Sequence, residues 1–189
     1  MNGDQGPVSN LPQLHQFYTG HNDAGKAVVA EHDDFRWTRL ADGDMGFSVV
    51  YTTSRSPPDL NGDADLAAHK KTTAPGRPMS LVNPGGSVLR CVDFAPGFQC
   101  DMHRTQSLDY GIVLEGAVEM VLDSGERHLM RRGDVAVQRA TQHQWINTSE
   151  TEWARMMFVL QDIQPLFVGG KEFGEDLGEK PMVPPTQRS

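Results

Sequence analysis

Between Leu81 and Asp162 the chain never runs far without a turn, and each stretch between turns is short and β-prone. Val88 to Phe94 alternates and ends at the turn Pro96-Gly97. Tyr110 to Leu114 is β-rich. Val118 to Leu122 and Arg127 to Met130 flank Asp123-Ser124-Gly125, a hairpin signal. Arg132-Gly133-Asp134 turns into Val135-Ala136-Val137-Gln138, and Gln144-Trp145-Ile146 and Trp153 to Leu160 complete the set. Short strands at this spacing are too brief for helices, too rich in β-branched residues, and predict an all-β sandwich or barrel over residues 81–165.

The flanks read differently. Residues 1–80 divide into a Gly/Pro/Asn/Ser-rich arm up to about residue 11, added strands and a long loop. The added strands fall at Lys26 to Ala30, Phe35 to Thr38 and Gly46 to Thr53, with Asp42-Gly43-Asp44 turning between the last two. Residues 54–80 are broken by Ser56-Pro57-Pro58, Asn61-Gly62-Asp63 and Pro75-Gly76-Arg77-Pro78, leaving room for one short helix around Ala64 to Lys70. A long irregular segment of this kind is a lid or an exposed excursion. Residues 166–189 are rich in Gly, Glu and Pro and are expected to pack over the barrel as a tail or to fray.

A formal net charge of -8 argues against a nucleic-acid partner, which needs a basic face. The adjacent basic pairs Lys70-Lys71 and Arg131-Arg132 read as solvated turns. Two cysteines, Cys91 and Cys100, cannot build a disulfide framework. The first residues lack the basic and apolar regions of a signal peptide, and no apolar run has the length of a membrane span. The expectation is a cytoplasmic protein without a membrane partner.

Two stretches carry the candidate chemistry. Gly97, His103, Asp109 and Gly116 stand at the spacings of the first cupin motif, and Gly133, His143 and Asn147 at those of the second. The chain therefore resembles the cupin superfamily. The resemblance implies a double-stranded β-helix, a jelly-roll cupin barrel with an N-terminal strand extension. Thr105 replaces the second histidine of the first motif, and its Glu is shortened to Asp109. In the second motif Arg139 and Thr141 replace the usual Pro and Gly. The run His103-Arg104-Thr105 followed by Asp109-Tyr110-Gly111 is similar to a subfamily common in fungal secondary-metabolite clusters.

The residues can be read independently of that family. His103 and Thr105 lie two apart and share a strand face, as do His143, Trp145 and Asn147. If these faces converge, two imidazoles and a carboxylate meet in an apolar cavity. This is the inventory of a 2-His-1-carboxylate centre, with His103, Asp109 and His143 holding Fe(II) or another divalent ion such as Zn, Mn or Ni. The same groups without metal form an acid/base set, one histidine removing a proton while Asp109 orients the imidazole, and a metal-free Asp109 is expected to hydrogen-bond an imidazole or Thr105. Thr105, a poor ligand, would hydrogen-bond substrate or water. Trp145 and Asn147 are candidates for substrate contact, as are Tyr51 and Arg90, whose strand faces the sequence does not decide. Cys100 reads as a plain turn thiol. His15, His21, His32, His69 and His128 fall outside the motifs and are expected to be exposed.

The function these readings imply is tailoring of a small polyketide- or terpenoid-type metabolite. The reaction is either metal-dependent oxidation or a non-redox dehydration, decarboxylation, cyclisation or isomerisation. The alternative is a small-molecule-binding cupin without catalysis. The resemblance also implies a symmetric homodimer, since cupins commonly dimerise through added N-terminal strands and this chain carries strand-rich residues before its motifs.

Overall fold

A computed structural model describes residues 7–76, 79–179 and 181–188. The first six residues, Arg77 and Pro78 of the loop signal, Lys180 and Ser189 lie outside the described residues. The strands are β1 (His15–His21), β2 (Ala27–Asp34), β3 (Thr38–Leu40), β4 (Met45–Thr53), β5 (Ser87–Phe94), β6 (Ser107–Glu115), β7 (Ala117–Leu122), β8 (Arg127–Arg131), β9 (Val135–Arg139), β10 (His143–Asn147), β11 (Ala154–Asp162), β12 (Phe167–Val168) and β13 (Lys171–Glu172). The expected helix is present as α1 (Ala64–Thr72).

Two antiparallel sheets face each other. The larger has the order β3-β4-β5-β11-β6-β9 and the smaller β8-β7-β10. Neighbours such as β5 and β11 are far apart in sequence, which is the winding of a jelly roll. The N-terminal extension splits: β3 and β4 join the large sheet, whereas β1 and β2 pair only with each other among the described residues. Gly86 admits the chain into β5, since a Cβ there would sit 1.8 Å from the Thr53 carbonyl oxygen.

Alternation along the strands sorts the side chains. Val88, Val92 and Phe94 of β5 point inward with Met156, Phe158 and Leu160 of β11, Val118 of β7 and Trp145 of β10, forming one buried core. The outer face of the large sheet carries a second, smaller cluster of Phe35, Trp37, Val50 and Cys91, with Val8 of the arm packed against it. Beneath the arm lies a buried pair: Arg155 Nε and Nη2 donate to the two Asp93 carboxylate oxygens at 2.6 and 2.7 Å. Arg155 Nη1 donates to the Pro12 carbonyl at 2.6 Å, and Ser9 donates to Asp93. The arm is a strap whose polar groups complete a buried ion pair.

His69 departs from its expected exposure. It is buried on α1, where its Nδ1 accepts from the Thr52 backbone N–H at 3.1 Å and its Nε2 meets the Tyr18 hydroxyl at 3.3 Å. It fastens the helix to β4. Burial lowers its pKa, so it serves there as a neutral ring.

Candidate active site

The segment before β6 is laid along the free edge of β10. His103 and His143 exchange backbone hydrogen bonds, each N–H donating to the other carbonyl at 2.9 Å. Cross-strand pairing brings the imidazoles to a centroid separation of 4.4 Å. Each Nδ1 lies against a backbone carbonyl, Asp101 at 2.8 Å and Thr141 at 2.9 Å. In the neutral rings Nδ1 therefore carries the proton and Nε2 keeps a free lone pair. Both rings are held neutral. Burial lowers His103 and pushes His143 down to about 3, with His103 adding to the effect on its neighbour.

Asp109 reaches the same cavity from β6. Alternation along Ser107, Asp109, Gly111 and Val113 puts it on the buried face. Thr105 donates to its Oδ2 at 3.2 Å and itself accepts from Ser107 at 2.7 Å. Its Oδ1 is buried without a hydrogen-bond partner among the described residues. Burial raises its pKa to about 6, the Ser107 and Thr105 hydroxyls and Arg90 opposing in part.

These groups line a cavity of about 100 Å³ walled by Phe47, Phe94, Trp145, Phe158 and Leu160. Arg90 of β5 shares it, and the tail closes it with Leu177, Pro181, Met182 and Val183. The tail is held in place by Arg104, whose backbone pairs with Asp176 and whose Nε donates to the Gly174 carbonyl at 2.7 Å. A second chamber of about 650 Å³ lies between β1–β2, α1 and the large sheet; it shares Phe47, Arg90, Met182 and Val183 with the first.

The structure thus brings together His103, Thr105, Asp109, His143, Trp145 and Arg90. It does not bring in Asn147 or Tyr51. Asn147 is a staple: its Nδ2 donates to the Phe94, Ala95 and Glu152 carbonyls at 3.1, 2.9 and 2.8 Å. Tyr51 turns to α1, donating to Asp65 at 2.5 Å and stacking on His69. Thr105 spends its hydroxyl proton on Asp109 rather than on a ligand; of the two partners expected for a metal-free Asp109, Thr105 is the one engaged, and no imidazole is oriented by it. Sequence reasoning missed the tail residues, for which the apolar run Pro181-Met182-Val183-Pro184-Pro185 in a polar tail was the available signal.

Residues 90–160 match the family described as Cupin domain. Over 175 residues the chain is 40% identical to Oryzines biosynthesis cluster protein J of Aspergillus oryzae, covering 92% of this chain and 96% of that one. The chain belongs to the cupin family. The same cupin is 44% identical over 162 residues to Phomopsin biosynthesis cluster protein C' of Diaporthe leptostromiformis, covering 84% of each. It is 41% identical over 179 residues to Cupin-domain-containing oxidoreductase fogC of Aspergillus ruber, covering 93% and 85%.

The cupin motifs imply a metal held by His103, Asp109 and His143, and the geometry tests this. The imidazole pair fits: each Nδ1–H on a carbonyl leaves Nε2 available, the usual outer support of a ligating histidine. The carboxylate does not fit. Among the described residues no three His, Cys, Asp or Glu side chains form a group able to hold an ion. Asp109 is one methylene shorter than Glu and is drawn toward Thr105, which stands where the motif has its second histidine. The expected three-ligand centre is therefore not formed in this arrangement. Cys100 adds no reactive thiol, since burial pushes its pKa up to about 12.

Proposed function

We propose that this cupin is a tailoring enzyme of fungal secondary metabolism that moves protons on a small, largely apolar substrate bound in the His103–Asp109–His143 cavity. The observation that carries the reading is Asp109: a buried carboxyl with one oxygen unpartnered, raised to about 6, lining the same cavity as two neutral imidazoles. An acid/base group works best when its pKa lies near the working pH. Asp109 gives or takes the substrate proton, Thr105 holds its other oxygen, and His103 Nε2 accepts on the opposite side. His143, pushed further down, is a weaker base and serves as an acceptor that orients the substrate. Phe47, Trp145 and the tail keep water out. Dehydration, decarboxylation, cyclisation and isomerisation all fit this apparatus.

A redox reading is favoured by the imidazole pair and by relatives named as oxidoreductases. The two are separated by turnover on a panel of aromatic and polyketide-type acids and ketones, before and after exhaustive chelation. The expected outcome is turnover that survives chelation and falls by about 10²-fold or more in Asp109→Asn and His103→Ala. Turnover that needs added Fe(II), or full activity in both variants, overturns the acid/base reading.

The reading places the protein in the cytosol with Cys91 and Cys100 as buried, unpaired thiols. Among the described residues no helix is long and apolar enough to cross a membrane. It works as a homodimer built through the N-terminal hairpin and, with a net charge of -8, without a nucleic-acid partner.

A further inference from the structure

Arg90 is a buried cation without a counter-ion in contact. Its side chain is wholly enclosed, yet among the described residues no carboxylate lies within ion-pair distance of the guanidinium. Nη2 donates to the Ser80 and Leu81 carbonyls at 3.0 and 3.1 Å. Nε is buried with no partner, and one face of the group lies over the Phe47 ring at 5.1 Å. A lone buried charge is costly, and in other proteins such charges are paired or hydrogen-bonded. The other buried arginine of this fold shows the contrast, since Arg155 holds Asp93 through two N–H donors.

The position of Arg90 gives the missing partner a place. The side chain lines both the His-lined cavity and the larger chamber, and is common to both walls. Asp109 lines the first of these and acts on Arg90 at longer range. Its unpartnered Oδ1 is the complementary gap: on the same sheet, Arg90 carries a donor with no acceptor and Asp109 an acceptor with no donor. Apart from Cys100, Asp101, Thr105 and the two histidines, the rest of the wall is aromatic and aliphatic.

We infer that Arg90 is a substrate anchor, and that the substrate class is an organic oxyanion, a carboxylate or enolate on an apolar body, with its charged oxygens on the guanidinium. The inference rests on the cavity being the substrate site and goes further by naming what must sit there. The guanidinium N–H groups not spent on Ser80 and Leu81 offer an oxyanion a charge-assisted hydrogen bond, which a neutral amide of the same shape receives more weakly. It also sets the register of the substrate against Asp109 and His103, which face the part beyond the oxyanion.

The test is binding, not turnover, so it stands apart from the reaction class. Benzoate and cinnamate are titrated calorimetrically into the full chain against benzamide and cinnamamide, which have the same shapes without the charge. The expected result is binding of the acids at least about tenfold tighter than of the amides. That preference disappears in Arg90→Met and survives in part in Arg90→Lys. Equal binding of acid and amide, no binding of either acid, or an acid preference that persists in Arg90→Met overturns the anchor. If Arg90→Met does not fold, the comparison on the unaltered protein still decides. Retained acid preference alongside full turnover in Asp109→Asn and His103→Ala would reject the proton-transfer reading and leave the anchor standing.

Discussion

Asp109 is the residue whose placement works against the fold. Burial raises its pKa from an ordinary value of 3.8 to about 6. A group whose folded pKa is raised stabilises the fold at low pH, and that contribution is lost as the pH climbs from about 4 through about 6. Above that window the buried anion is a net cost. His103 and His143 act in the opposite sense: their lowered values favour the fold above the ordinary histidine range and penalise it on acidification. Comparing the protein with Asp109→Asn isolates the carboxyl, because the histidines are present in both. The variant is expected to melt higher at mildly alkaline pH by roughly 2–6 °C, with the difference vanishing below about pH 4. Thermal unfolding across pH checks this; a variant that is less stable above neutrality contradicts it. A residue that destabilises its own fold, without a partner for one oxygen, is typical of a group retained for chemistry.

At the scale of elements, the motif residues were legible because their spacing follows from strands and turns alone. Gly97 and Gly133 open turns, and two-residue alternation carries His143 and Trp145 to one face. Tyr51 was not legible. β4 pairs Val49 with Arg90 but Tyr51 with Leu89, so a bulge at Val50 reverses which face follows. Arg90 stays inward, and Tyr51 is thrown outward to α1. Asn147 follows the expected alternation, but the end of its strand is ringed by carbonyls that consume its amide. Of the β1–β2 hairpin only Lys26 to Ala30, within β2, was legible as a strand, and the strand expected at Phe35 to Thr38 begins only at Thr38, residues 35–37 packing as an irregular link instead. The hairpin's backbone pairs with no other strand among the described residues, the Tyr18 hydroxyl donating to the Val50 carbonyl of β4 at 2.6 Å, and it leaves Phe17, Val28 and Val29 exposed. Apolar side chains on such a hairpin suit a symmetric partner. Light scattering is expected to give twice the mass of one chain at micromolar concentration, and the monomer mass once residues 15–34 are deleted. A monomer mass for the full chain contradicts this.

For the whole molecule, the all-β barrel, the single helix and the covering tail follow from turn density and composition. What composition could not convey is that distant segments close one cavity and brace the sheet that walls it. The tail reaches it through Arg104 and Asp176, the arm braces the opposite face through Asp93 and Arg155, and the loop before β5 supplies the carbonyls that hold Arg90. The tail and arm contacts join residues far apart in sequence, where no local period reports them. Together these segments frame a largely apolar, aromatic pocket in which burial raises the Asp109 carboxyl toward neutrality. That claim is open to direct measurement by ¹³C NMR titration of aspartate carboxyls, with Asp109→Asn assigning the resonance. The account predicts an Asp109 midpoint at about 6, well above the other aspartates. A midpoint at or below about 4, the ordinary carboxylate range, would contradict it.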